Sequence, residues 1–391
     1  MNCQAVFIYS DQFTKYTFHS DHPFNQVRVR MTKELLEATG KLHSSHLVEP
    51  RIATDAEIEL VHDKQYIEAV KKASIGLLAE DEGLEFGLGT EDTPIFQDMH
   101  RASSLLVGAT LTAVDHVLTG NIQHALNLGG GLHHGFRDKA SGFCIYNDGA
   151  IAIKYIRKKY NLRVLYVDTD AHHGDGVQSV FYDDPNVCTL SIHETGRYLF
   201  PGTGNSNERG IKEGYGYSFN VPIDAFTEDE SFLHVYEIAF KEVIEYFQPD
   251  IIITQNGVDA HSYDPLTHLN TTMNVFEKIP LLAHKLAHQY CKGKWIALGG
   301  GGYDIWRVVP RAWGQLWAVM TGSTPFKDQL PKSWLTKWQK VAPIQIPHSW
   351  QDPTGIYHPI PRKLEITEKN ALNLEKTLQI IKNQRKFGTD Y

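Results

Sequence analysis

The chain is poor in cysteine, has no long apolar run, and carries no excess of basic charge. Its four cysteines, Cys3, Cys144, Cys188 and Cys291, are widely spaced with no C-x-x-C pair. That excludes a disulfide framework and a Cys-rich zinc site, and fits a reducing compartment. No stretch approaches the roughly 18 apolar residues of a membrane span. The first nine residues hold only a short apolar run with no basic residue before it, so no signal peptide is expected and a cytoplasmic location is. The 38 Lys and Arg are outnumbered by 46 Asp and Glu, for a formal charge of -8. Such a surface cannot neutralise a run of phosphates, which argues against nucleic acid as a partner and suits a cationic substrate. Internal repeats and low-complexity linkers are also absent.

What is present is alternation. Residues 4–9 read as a first strand, followed by helical periodicity at about 26–39, 55–74 and 97–120. Short apolar runs then recur at Ala125–Leu128, Val164–Val167, Val187–Ile192, Ile251–Thr254 and Trp295–Leu298, separated by amphipathic stretches such as 146–160, 229–247 and 273–291. This pattern predicts one large α/β domain, a central and mostly parallel sheet with helices on both faces. The texture changes after Gly322: seven of the 17 prolines and three of the seven tryptophans lie between Pro325 and Pro361, with a helical stretch near 369–385. The expected organisation is a main domain over 1–322 and a C-terminal extension, 323–391, wrapped on it.

Four of the apolar runs end in Gly, His or Asp. Asp168-Thr-Asp-Ala-His-His-Gly-Asp-Gly176 packs three carboxylates and two imidazoles into nine residues. Leu128-Gly-Gly-Gly-Leu-His-His-Gly135, Gln255-Asn-Gly-Val-Asp-Ala-His-Ser-Tyr-Asp264 and Gly299-Gly-Gly-Gly-Tyr303 follow the others. Ligands in open α/β sheets bind beyond the carboxyl ends of the strands, so the four loops are expected to meet at one site. Buried acids must be paired or hold a cation. Asp170 and His172 share one side of an extended segment, as a metal-binding pair requires; Asp264 is the first choice for the third ligand and Asp259 the second. Two carboxylates and an imidazole leave an open position, as in a catalytic site, and would accept Zn(II) or Fe(II). His133 and His134 can each pair with a spare acid, Asp168 or Asp175, for general acid–base work. Tyr303 can stabilise an oxyanion. Neither glycine run fits a phosphate-binding G-x-G-x-x-G.

Gly129–Gly135, Ser141-Gly-Phe-Cys-Ile-Tyr-Asn-Asp148, Asp168–Gly176, Phe200-Pro-Gly-Thr-Gly204 and Leu298–Tyr303 occur in the order and spacing of the histone deacetylase family, which the chain resembles over about residues 8–322. Within it the chain is most similar to the bacterial acetoin-utilisation branch. The resemblance implies hydrolysis of Nε-acetyl-lysine in an acetylated protein or peptide, with acetyl-CoA synthetase a target by analogy with that branch. It implies a metal held by Asp170, His172 and Asp264, with His134 as the proton shuttle. Gly142, Phe143 and Phe200 would line a channel for the lysine stem, Asp92 would hold the substrate backbone at the rim, and Arg28 would sit by an exit for acetate. Potassium would bind Asp168, Asp170, His172, Ser191 and Ile192, with a second ion near Phe181, Val187 and Tyr217. A two-metal ureohydrolase is disfavoured, because position 174 is Gly and the 255–264 loop lacks Asp-x-Asp. A deacetylase of acetylpolyamines and an inactive metal-binding regulator are the remaining alternatives.

Overall fold

The computed structural model describes residues 4–387; Cys3 lies outside them. Eight strands form one sheet: β1 (Ala5–Ile8), β2 (Leu47–Val48), β3 (His124–Asn127), β4 (Val164–Asp168), β5 (Val187–Glu194), β6 (Ser218–Ile223), β7 (Ile251–Gln255) and β8 (Trp295–Leu298). Their order is β2-β1-β3-β8-β7-β4-β5-β6, and every pairing is parallel. The apolar runs behave as strands covered on both faces must: every residue of β3, β4, β7 and β8 is buried.

The order places the four strands with chemistry-bearing loops side by side: β3, β8, β7, β4. The register then sets Asn127, Leu298, Gln255, Asp168 and Ser191 abreast in one row across five strands. The site stands on this row.

The helix Met99–Thr119 is long and apolar enough to cross a membrane by length and composition, but 78% of its most apolar window is buried inside the fold. Where periodicity predicts one helix over 55–74, the chain forms two, Asp55–Ile58 and Lys64–Ser74. A capping box of Thr54 and Glu57 starts the first, and the break is held by the Asp63 N–H donating to the Arg137 carbonyl at 2.9 Å. β6 is not foreseen by the alternation because it contains Pro222, tolerated there because β6 is an edge strand. Helices Asp175–Phe181 and Val309–Met320 are likewise additions.

Past Gly322 the chain packs through its tryptophans. Trp334, Trp338 and Trp350 are buried in a second apolar cluster with Met31, Leu35, Ile305, Leu330 and Ile346. Trp350 stacks on Phe326, with ring centres 4.2 Å apart, and lies so close to Gly314 that a Cβ there would stand 2.4 Å from the indole. The final helix, Lys363–Phe387, covers the β6 edge: Asn373 Nδ2 donates to the Pro222 carbonyl at 2.8 Å and Asn370 Nδ2 to Thr227 Oγ1 at 2.8 Å. A covered edge cannot pair with another chain. Asp352 closes the wrap, accepting from Arg311 Nη2 at 2.8 Å, His261 Nε2 at 3.0 Å and the Met273 N–H at 2.7 Å.

Two expectations follow. Trp350→Ala should cost about 3–5 kcal/mol in chemical denaturation, as for other buried large-to-small aromatic changes. Burial alone would raise the Asp352 carboxyl, but His261 and Arg311 outweigh it and hold it well below the usual carboxylate range. A depressed folded pKa contributes stability that is full above the unfolded value near ~4 and lost as pH falls towards the folded one. Asp352→Asn should therefore destabilise by about 3 kcal/mol at neutral pH, and denaturation of the two proteins should show the gap narrowing below about pH 4.

Candidate active site

The loops after β3, β8, β7 and β4 bring Asp168, Asp170, Asp259 and Asp264 together with His133, His134 and His172, all buried. His133 Nδ1 donates to Asp168 Oδ2 at 2.8 Å, and His134 Nδ1 to Asp175 Oδ1 at 2.7 Å. His172 Nδ1 lies 2.9 Å from Asp259 Oδ2 and 3.2 Å from Asp170 Oδ1. One ligand atom from each of Asp170, His172 and Asp259 lies within 4.8 Å of the other two. This group takes in Asp259, the second choice from sequence, and not Asp264, the first. Asp264 is next to it, its carboxylate accepting the N–H groups of Leu266 and Tyr303 at 3.0 and 2.8 Å. His173 turns away, towards Thr203 and Gln178.

Gly174 has a local reason: a Cβ there would stand 2.4 Å from Asp168 Oδ2 and 3.3 Å from His133 Nδ1. A side chain at that position would break the His133–Asp168 pair. Gly142, at φ +50°, is similarly confined, since a Cβ would lie 2.5 Å from His134 and 2.9 Å from Phe200. Phe143 follows at φ +68°, held by the Tyr16 hydroxyl donating to its carbonyl at 2.6 Å. Phe200 packs edge-on to His134 at 4.9 Å, and Phe143 to Tyr303 at 5.7 Å. Tyr303 stands 6.3 Å and Phe200 6.5 Å from His172. The acids therefore lie behind a wall of aromatic rings, with Phe200 exposed at its outer end. Asp92 is exposed beside His22, whose ring packs on Phe143 at 4.6 Å. Arg28 is buried, donating Nη1 to the Gly302 carbonyl at 2.7 Å with its guanidinium over Phe24 and Trp313. Ser191 faces Asp168 across the β4–β5 ladder with Ile192 next along β5, and its hydroxyl meets His193 at 2.8 Å.

The electrostatics separate the two adjacent histidines. Burial opposes charge on His133, but Asp168 and Asp170 outweigh it and push the imidazole up to about 9. Burial, then His133 itself, pull His134 down to about 4 against Asp175. Burial and repulsion from Asp170 push Asp259 up to about 7, and burial with Asp259 beside it raises Asp264 well above the carboxylate range. Buried acids that repel one another call for a positive charge. A divalent cation fits this set of carboxylate oxygens and an imidazole.

Several residues that hold the site escape motif reading. Gln255 Nε2 donates to Asp170 Oδ2 at 2.7 Å, and the Gly301 N–H donates to the same oxygen at 2.6 Å. Asp148 accepts the N–H groups of Gly131 and Leu132 at 3.0 and 2.9 Å and the Thr110 hydroxyl at 2.5 Å. Asn147 Nδ2 donates to the carbonyls of His133 and Gly135 at 3.2 and 3.0 Å, while its Oδ1 caps helix Asp148–Tyr160. Asn147 and Asp148 close a recognised motif, which is the signal that could have marked them.

Comparison with known proteins agrees with this geometry. The histone deacetylase domain matches residues 22–320. The acetoin utilization protein AcuC of Bacillus subtilis (strain 168) is 62% identical over 381 residues, 97% of this chain and 98% of that one. AcuC of Staphylococcus xylosus is 46% identical over 372 residues, 95% of this chain and 97% of that one. The crystal structure of a histone deacetylase homologue from Aquifex aeolicus superposes with a TM-score of 0.83 at 28% identity, covering 94% of this chain and 99% of that one.

Gln255→Ala removes one of the two donors on Asp170 Oδ2 and leaves the Gly301 N–H. It should weaken divalent-cation binding by about 10- to 100-fold, the usual effect of losing a residue that orients a ligand, as read by calorimetric titration with Zn(II).

Proposed function

Since the chain belongs to the histone deacetylase family, we propose that it hydrolyses the Nε-acetyl-lysine amide of an acetylated protein or peptide to lysine and acetate. The observation that carries this reading is the arrangement of two histidine–aspartate pairs, at 2.8 and 2.7 Å, beside an acid pocket walled by Phe143, Phe200 and Tyr303. Asp170, His172 and Asp259, whose ligand atoms lie within 4.8 Å of one another, would hold the metal, Zn(II) or Fe(II), in place of the Asp264 expected from sequence, which stands beside them with its oxygens on the N–H groups of Leu266 and Tyr303. When bound, the cation supplies Lewis acidity to the acetyl carbonyl and to the attacking water.

The protein's own groups supply the rest. His134, oriented by Asp175 and facing the Phe200 end of the wall, takes a proton from the water and returns it to the departing lysine amine. His133, held on Asp168, offers its other ring nitrogen as a hydrogen-bond donor to the developing anion. The Tyr303 phenol donates to the oxyanion. Gly142, Phe143 and Phe200 enclose the four-carbon stem, and Asp92 holds the substrate backbone outside. Arg28, buried behind Tyr303, attracts the acetate that must leave. Potassium at Asp168, Asp170, His172, Ser191 and Ile192 would neutralise the far side of the acids.

Tyr303→Phe should lower kcat by about 10²–10³ with KM little changed, the range for one oxyanion donor. Turnover of acetyl-lysine peptides against acetylspermidine, on enzyme loaded separately with Zn(II) and Fe(II), tests the substrate class. Preference for acetylspermidine would overturn the lysine reading. Metal uptake by Asp259→Asn and Asp264→Asn separates ligand from neighbour: the ligand variant loses the ion, and the neighbour variant keeps it at lower affinity.

A further inference from the structure

A cluster of three histidines lies at the opposite end of β3 from the acid pocket. His124 opens the strand, and His284 and His288 stand one turn apart near the end of helix Met273–Tyr290. Residues at i and i+4 share a helix face, and that face meets His124. Ring centres are 5.0 Å apart for His124–His284, 5.1 Å for His124–His288 and 4.5 Å for His284–His288. One ring nitrogen from each lies within 4.8 Å of the other two. His124 Nε2 and His288 Nε2 are 3.2 Å apart, close to the roughly 3.3 Å edge of a tetrahedron with Zn–N bonds of about 2.0–2.1 Å.

We infer that His124, His284 and His288 form a second site for a divalent transition-metal ion of the Zn(II) class, separate from the acid pocket. Imidazole sets select such ions over the hard cations Mg(II) and Ca(II), which want oxygen. The ligating form is the neutral ring, and the surroundings favour it. Burial, then repulsion from the other two rings, lowers His124 to about 3, while burial and His288 lower His284 to about 4, and His288 is lowered as well. His124 is fully buried, and the nitrogen it turns toward His288 is Nε2, which a shared ion would satisfy. An imidazole buried that deeply is costly unless its polar atoms are satisfied. An ion here would tie the start of β3 to the helix that leads into β8, leaving the opposite ends of both strands to the acid pocket.

The test uses untagged full-length protein, stripped with chelator and dialysed against Zn(II). Wild type is expected to hold two ions per chain, His284→Gln/His288→Gln one, and Asp170→Asn one. The double histidine variant should keep wild-type deacetylase turnover. A second readout needs no activity: in the Asp170→Asn background, Zn(II) but not Mg(II) should raise Tm, and adding His288→Gln should abolish the rise. One ion in wild type, or two retained in the double histidine variant, would overturn the assignment, as would a Tm rise unaffected by His288→Gln.

Discussion

Everything at the carboxyl ends of the strands answers one constraint: carboxylates buried close together repel one another and have lost their water. Asp168, Asp170, Asp259 and Asp264 are each at most 7% exposed. Each is met by donors instead. Asp168 takes His133, Asp170 takes Gln255 and the Gly301 N–H, Asp259 takes the Ala171 N–H and His172, and Asp264 takes the N–H groups of Leu266 and Tyr303. Because the donors come from all four loops, the acids can be held only when β3, β8, β7 and β4 are adjacent and in register. The cluster and the strand order thus require each other.

The same constraint divides labour between His133 and His134. They are neighbours in sequence, yet one sits on Asp168 beside Asp170 and the other on Asp175 beside its own partner imidazole. One acquires a raised pKa and the other a lowered one. Pairs of titratable groups driven apart in this way are the usual basis for assigning acid and base roles. Gly142 and Gly174 keep the two pairs free of side chains that would displace them.

The strands β3, β4, β7 and β8 were legible because parallel strands buried on both faces must be continuously apolar. The loop clusters were legible because acids and imidazoles are rare at strand ends. Edge strand β6 was not, since a run containing Pro222 and polar residues lacks the buried-strand pattern. The break at Asp63 was not, because it depends on the Arg137 carbonyl 74 residues away. Gln255 looked like the first polar residue after a strand. Its role follows from standing abreast of Asp168, one strand over.

The order of the motifs and the residue types in them were enough to identify the family, the pairing of two histidines with two acids, and Asp170 with His172, because those features are local or carried by specific spacing. Which carboxylate stands nearest that pair, what braces Asp170, and how three histidines over 160 residues apart in part come to share one corner were decided by strand order and register. These are properties of contacts between distant segments, and no spacing along one chain segment encodes them.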